Sequence, residues 1–485
     1  MDLPLARRPV LSTGSYLVLP LALLAAAGLA VAVLYRQPAL LGVAAVGLAA
    51  AAVALADRRA AVPLIVLGLP LEISKLAFPF LYTRADLGGG LPPTSIVDVG
   101  RLAVVLAALV WLLRPGAARE EAIPRSSLTL PALVVLALYA LSTLYAVDVG
   151  DARTETLRLS FLIGLFVLVP FFVRDRTTLR WCLAALIASA ALLAALGVYQ
   201  EVSGRFFWNE GLGLYGERRI NTSFADPNQF ARLLLNGMAL ALALWFFVRP
   251  RARYLLLLPA LGLCALTLIF TGSRGAWVIG VVLLPLLVVL LPVGRWPKLR
   301  LLGLGTGAVV VASLVVAVAS PYFQDRLGTF RFGFEALGAR PYLVEAGLAM
   351  FKDRPLTGMG VGGYQHAFED DYFHFKDPKI KADVTLSHTS VVTVMSELGV
   401  LGLAAIGFLA YRWFRLCWRL YGRADRAAKA ALLGLFAVSV IVFLTSQTEG
   451  RFLEDPYLWL IMGLAVAVER MLSGEPPPPP EPAAP

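Results

Sequence analysis

The sequence predicts an all-α, polytopic transmembrane helix bundle, and three observations predict it. The 485 residues are 59% hydrophobic and only 15% charged, with a mean hydropathy of +0.75. Apolar stretches of about 20 residues, the length a helix needs to cross a bilayer, recur from end to end. These stretches are continuous rather than alternating, so they do not read as half-buried strands. A backbone in hydrocarbon must satisfy its own N–H and C=O groups, and a helix does so within one segment.

Hydropathy places the spans near 16–35, 38–56, 60–81, 96–113, 128–146, 157–173, 179–199, 228–248, 254–271, 275–292, 300–319, 389–411, 428–446 and 453–470. Merging the weak early ones gives about 12, so the expected count is 12–14 spans. The basic N-terminus MDLPLARRPV leads into the first of them. One set of connections is rich in arginine: Arg7 and Arg8, Arg58 and Arg59, Arg174 and Arg176, Arg249 to Arg253, Arg295 to Arg300, and the run from Arg412 to Lys429. The alternate connections are poor in basic residues when short, as at 147–151 and 447–450. The positive-inside rule then puts both termini in the cytoplasm.

The chain divides into an N-terminal bundle (1–200), a first outward loop (201–227), helices around an arginine-containing turn (228–319), a large outward loop (320–387), C-terminal helices (388–473) and a Pro-rich tail (474–485). Pro341 suits the first turn of a helix over 341–352 within the large loop, so that loop is partly helical. The tail GEPPPPPEPAAP reads as extended and disordered.

Composition excludes several functions. The net charge is +11, but the basic residues sit in membrane connections and no basic stretch is interleaved with aromatics, so no nucleic-acid partner is expected. Cys182, Cys264 and Cys417 are widely spaced in or beside apolar runs, with no metal or disulfide pattern. The three histidines lack matching carboxylate spacing, and no metal site is expected. The glycine cluster after 357 lacks the GK[ST] ending of a phosphate loop, so nucleotide binding has no support.

Three stretches carry candidate chemistry. In TGSRGAW (271–277) the chain leaves one span, turns on Gly272 and Gly275 and enters the next. Arg274 sits in that turn beside a helix N-terminus, which suits an anion; the alternative is an arginine that snorkels to lipid phosphates. In ALGARPYLVEAGLAMFKDRPLTGMGVGGY (336–364), Arg340 opens the loop helix, and GMGVGGY lets backbone approach another group closely. In TLSHTSVVTVMSELG (385–399), His388 stands where a charged loop becomes an apolar run, among hydroxyl residues that suit a helix cap. The positive end of a helix keeps an imidazole neutral, and a neutral imidazole can accept a proton. Asn228, just after Asp226-Pro227, reads as a further helix cap. His366 and His374 read as surface residues of the loop. Glu72 with Lys75, and Asp98 with Arg101, have the spacing of stabilising pairs on one helix face.

The ordered set TGSRGAW, ARPYLVEAGLAMFKDRPLTGMGVGGY and SHTSVVTVMSELGVLGL resembles the O-antigen ligase family of bacterial membrane glycosyltransferases, which includes related polysaccharide polymerases. The resemblance covers about 220–410. It implies an enzyme of the bacterial inner membrane with its active site facing the periplasm. Its expected partners are an undecaprenyl diphosphate-linked glycan donor, a glycolipid or growing-glycan acceptor such as lipid A core, and membrane lipids. No cofactor is expected. By resemblance, Arg274 and Arg340 hold the diphosphate and His388 activates the acceptor hydroxyl. Asn228, Gly360, Gly363 and Tyr364 join the arginines as expected substrate-binding residues. A polymerase of the same family is the alternative reading, and a small-anion transporter, which needs a charged path near the bilayer midplane, is a more distant one.

Overall fold

The computed structural model describes residues 58–70, 126–204, 219–224, 226–319, 340–376, 387, 389–450 and 452–474. They form α1 (Arg58–Gly68), α2 (Thr129–Ser142), α3 (Val149–Phe172), α4 (Arg176–Ser203), α5 (Pro227–Leu244), α6 (Pro250–Phe270), α7 (Arg274–Leu290), α8 (Arg295–Ala319), α9 (Arg340–Asp353), α10 (Tyr364–Asp370), α11 (Ser390–Arg423), α12 (Arg426–Ser446) and α13 (Pro456–Leu472). Among the described residues there is no strand. Five helices, α3, α4, α6, α11 and α12, are long and apolar enough to cross a membrane, and α1, α2 and α7 are shorter apolar helices. The expected spans at 16–35, 38–56 and 96–113, the pairs Glu72–Lys75 and Asp98–Arg101, and the Pro-rich tail lie outside the described residues.

The bundle is organised around two central helices. In α13 every residue from Tyr457 to Val468 is buried, and α5 is buried on nearly all sides. A helix that is apolar all round belongs inside a bundle. α5 packs against α4, α6, α7 and α12, and α13 against α3, α11 and α12. Small residues bring the backbones together: Gly237 lies on Ala190, Gly434 on Ala243, and Gly463 on Val169 and the Phe166 carbonyl. This is how helices associate where lipid removes the hydrophobic drive between them. The ring helices present Leu133, Leu255, Val281 and Val289 outward.

Aspartates start several helices. Asp148, Asp175, Asp226, Asp425 and Asp455 each accept a backbone N–H of the first turn that follows, and Pro227 and Pro456 occupy the position after the cap. The span expected at 157–173 therefore begins earlier, at Val149, directly after the Asp148 cap.

The two ends of the bundle differ. One end carries exposed or half-exposed pairs: Arg59 with Asp175 at 3.4 Å, Arg176 with Asp425, and Arg419 with Glu469. At the other end α9 and α10 lie over the helix termini, around a small core in which Phe368 stacks on Tyr342 and Tyr364 at 6.0 and 6.3 Å.

α11 is broken at Gly399, whose φ of 61° and ψ of −154° are open to glycine and strained for other residues. The chain segment 355–360 fills the break. Met359 N–H donates to the Ser396 carbonyl and Gly360 N–H to the Glu397 carbonyl, both at 2.9 Å. In the opposite direction Val400 N–H donates to the Pro355 carbonyl at 2.9 Å and Leu401 N–H to the Leu356 carbonyl at 3.3 Å. Irregular backbone inside a bundle persists when protein satisfies it, and this clasp satisfies both sides of the break.

Candidate functional site

The site is built from helix starts that meet at the end covered by α9 and α10. α5 begins at Pro227 because Asp226 caps it, its carboxylate accepting Asn228 N–H at 2.8 Å. Asn228 is therefore not the cap its sequence position suggests; proline after Asp226 fixes the register one step earlier. Instead Asn228 Oδ1 accepts Arg219 Nη2 at 2.8 Å, while Arg219 Nε donates to the Thr271 carbonyl at 2.9 Å. Arg219, which stands in no motif, thus ties the start of α5 to the turn before α7.

That turn carries Arg274. Gly272 takes a φ of 63°, reversing the chain, and the Thr271 hydroxyl closes the end of α6 on the Leu268 carbonyl at 2.7 Å. Arg274 is the first residue of α7 and is half-buried. Its neighbour Gly275 faces the α12–α13 turn: a Cβ there would lie 3.3 Å from the Thr448 methyl.

Arg340 opens α9, as Pro341 predicts, and the helix runs to Asp353. α9 is seated on α11 by Gly347, where any side chain would overlap Val392. This placement brings the Arg340 guanidinium into the field of Arg274 and of Asp226. Burial first, then Arg274, push Arg340 below the ordinary arginine range, and Asp226 opposes the shift. Two guanidiniums from positions 274 and 340 thus lie within electrostatic reach of one another, one of them at the positive end of α7. Arginine stays protonated, so this part of the molecule carries two positive charges.

His388 lies outside the described residues. Its neighbours do not. Ser387 is buried, and its hydroxyl accepts Thr389 N–H at 3.3 Å. Ser390 begins α11, and its hydroxyl meets Ser446 Oγ at 2.9 Å and Gln447 Nε2 at 2.6 Å. The 446–448 turn therefore touches both the start of α11, through Ser446 and Gln447, and the start of α7, through Thr448. Arg232 holds that turn from below. It is fully inside the bundle and paired with Glu449 and Asp455.

Gly360, Gly363 and Tyr364, expected among the substrate-binding residues, each have close protein neighbours. A side chain at Gly360 would overlap Ala146 in the α2–α3 turn, and one at Gly363 would lie 2.9 Å from the Gly360 and Met359 carbonyls. Tyr364 is 2% exposed, donates its hydroxyl to the Leu343 carbonyl at 2.5 Å, and its phenol is pushed up chiefly by burial. The close approach expected of GMGVGGY is real, but its object is α11 and the α2–α3 turn. Among the other histidines, His374 lies against Phe375 on the surface, while His366 Nε2 is 3.2 Å from Asp151 and 3.9 Å from Asp148. Sequence spacing could not show that triad, because His366 lies 215 positions beyond Asp151.

Residues 259–407 match the O-antigen ligase family model, a span from within α6 to the first part of α11 that contains Arg274, Arg340 and His388. No curated protein matches the chain. The apolar helices make this an integral membrane protein, and over residues 259–407 it is similar to the O-antigen ligase family.

Proposed function

We propose that the protein is a membrane glycosyltransferase that moves a glycan from undecaprenyl diphosphate to an acceptor hydroxyl at the periplasmic face of a bacterial inner membrane. The family match supports an enzyme of glycan assembly. The observation that supports the reading is that Arg274, first residue of α7, and Arg340, first residue of α9, lie near enough for the charge of one to act on the other. The arrangement is useful when an anion with two or more charges arrives, and a diphosphate is such an anion.

The chemistry follows from that geometry. The bond between the anomeric carbon and the diphosphate oxygen breaks as the acceptor oxygen bonds to the same carbon. Negative charge gathers on the departing diphosphate, where two fixed guanidiniums stabilise it. The acceptor hydroxyl loses its proton, and His388, two residues before α11 begins, is the residue assigned to take it. Attack opposite to the leaving group inverts the anomeric centre. Asn228 and Arg219 hold the α5 start against the Thr271 turn and so set where Arg274 stands. Ligation to a lipid A core and extension of a growing chain share these steps.

The test is transfer from a lipid-linked glycan by purified protein. His388→Ala is expected to lose about 100-fold or more in rate. Full activity in that variant removes the histidine from the reaction.

A further inference from the structure

Asp148, Asp151 and His366 take no part in the transfer chemistry above, and they come from two separate stretches of the chain. Asp148 caps α3 through Oδ1, which accepts Asp151 N–H at 2.6 Å, while its Oδ2 is the oxygen nearer His366. Asp151 lies in the first turn of the same helix. His366 stands on the first turn of α10. Backbone contacts hold the two stretches together. Val147 N–H donates to the Met359 carbonyl at 2.9 Å, Val361 N–H to Ser142 Oγ at 3.3 Å, and the Tyr145 hydroxyl to the Thr357 carbonyl at 3.2 Å. A Cβ at Gly362, where φ is 74°, would lie 3.1 Å from Asp151 Cβ. The three side chains are therefore carried on backbone that packing already fixes, and they gather at no further cost in ordering.

The ligating atoms of the three residues all lie within 4.8 Å of one another. His366 Nε2 is 3.2 Å from Asp151 Oδ2 and 3.9 Å from Asp148 Oδ2. Bonds of about 2.0–2.2 Å to one cation place neighbouring ligand atoms about 2.8–3.6 Å apart. The first separation is already in that range, and the second needs only a small rotation of half-exposed side chains. A hydrogen bond from the imidazole accounts for Asp151 alone and leaves Asp148 Oδ2 beside a second carboxylate. Among the described residues neither aspartate pairs with a lysine or an arginine.

The donor set chooses the ion. Acidic clusters made of oxygen alone suit calcium or magnesium, whereas an imidazole nitrogen with two carboxylates suits zinc and related transition ions. We propose that Asp148, Asp151 and His366 form a binding site for a divalent transition-metal ion of the zinc type, which ties α10 to the start of α3. Such an ion straps the cover made by α9 and α10 onto the bundle through residues other than Arg274 and Arg340. The inference stands without the transferase reading, since no step of transfer uses these three side chains.

Zinc titration of the purified full-length protein, carrying no histidine tag and followed by calorimetry, tests it. The expected result is saturable uptake of one zinc per chain. The Kd should rise at least about tenfold in Asp151→Asn, in His366→Gln and in Asp148→Asn, the last of which keeps a side chain able to cap α3. Amide exchange over 364–370 should slow when zinc is added to wild type and stay unchanged in His366→Gln, with exchange in α5 and α13 at the wild-type rate to show that the variant is folded. Calcium at the same concentration should leave both readouts unmoved. No saturable uptake up to about 1 mM zinc, uptake as tight in the three variants as in wild type, or an equal response to calcium overturns the site.

Discussion

Arg232 and the pair Arg274–Arg340 occupy the same end of the bundle and share the field of Asp226, yet their charges are balanced in opposite ways. Arg232 is buried with two carboxylates, Glu449 and Asp455, each within hydrogen-bond reach. Arg274 and Arg340 are half-buried, the charge of Arg274 acts against that of Arg340, and the neighbour that offsets Arg340 is Asp226. The first arrangement ties one buried cation to two carboxylates. The second brings two cations, each the first residue of a helix, into one field. On the proposed function, the difference separates an arginine that holds the fold from arginines that bind a substrate.

Several substitutions can break or sharpen that comparison. Removing the buried arginine is expected to cost most. Arg232→Ala leaves two carboxylates buried without their cation, a loss of about 3–5 kcal/mol, read as a large drop in thermal stability of the purified protein. A variant as stable as wild type would show that the triad is not what holds the α12–α13 turn.

Removing a half-buried arginine is expected to cost rate and not stability. Arg274→Ala and Arg340→Ala are each predicted to raise the transfer barrier by about 3 kcal/mol, on the order of 100-fold in rate. The sign on stability is opposite to that of Arg232. A cation whose folded pKa is lowered opposes folding wherever it is charged, which for arginine is all accessible pH. Arg340→Ala should therefore melt no lower than wild type, and a clear drop in melting temperature would place Arg340 among the structural arginines.

Gly360→Ala probes what positions α9. Its φ of 90° and its overlap with Ala146 predict a cost of about 1–3 kcal/mol, seen as faster amide exchange over 355–364. Exchange at the wild-type rate would mean that the clasp does not depend on that close approach.

The smallest effect is expected at the basic end. Asp425 caps α12 through Ala428 N–H and pairs with Arg176, and both hold its carboxyl below the usual range, the cap more than the ion pair. Asp425→Ala should cost about 0.5–1 kcal/mol, most of it from the cap, because the exposed pair is worth little. A carboxyl lowered in the folded state contributes stability above its unfolded pKa of about 4 and loses it as pH falls through the folded value. The gap between wild type and variant should accordingly close in acid, and a gap that persists there contradicts the assignment.

The helices were readable because their signal is local. A continuous apolar run must be a helix in lipid, and most described helices lie where hydropathy puts a span, shifted by aspartate caps such as Asp148; of the span expected at 60–81, the described part is helical only to Gly68. Arg340 at the start of α9 was readable too, since Pro341 marks a first turn. What stayed hidden depends on partners far along the chain. SELGVLGL reads as uninterrupted helix, and the break at Gly399 exists because the segment 355–360 reaches into it. The glycines of GMGVGGY announce close approach without saying to what, and the answer is Ala146 and Glu397. Asn228 was misread as a cap although Pro227 already carried the correct register. Arg219, Glu454 and the His366–Asp151 contact carry no pattern in the sequence; only folding brings them to their partners.

The most direct measurement is the affinity of purified protein for a short polyprenyl diphosphate, compared among wild type, Arg274→Ala and Arg340→Ala by titration calorimetry. Saturable binding that weakens at least about tenfold in each variant, with the fold intact, is the predicted result. Equal affinity in all three proteins would contradict the claim that these two guanidiniums together form the diphosphate site.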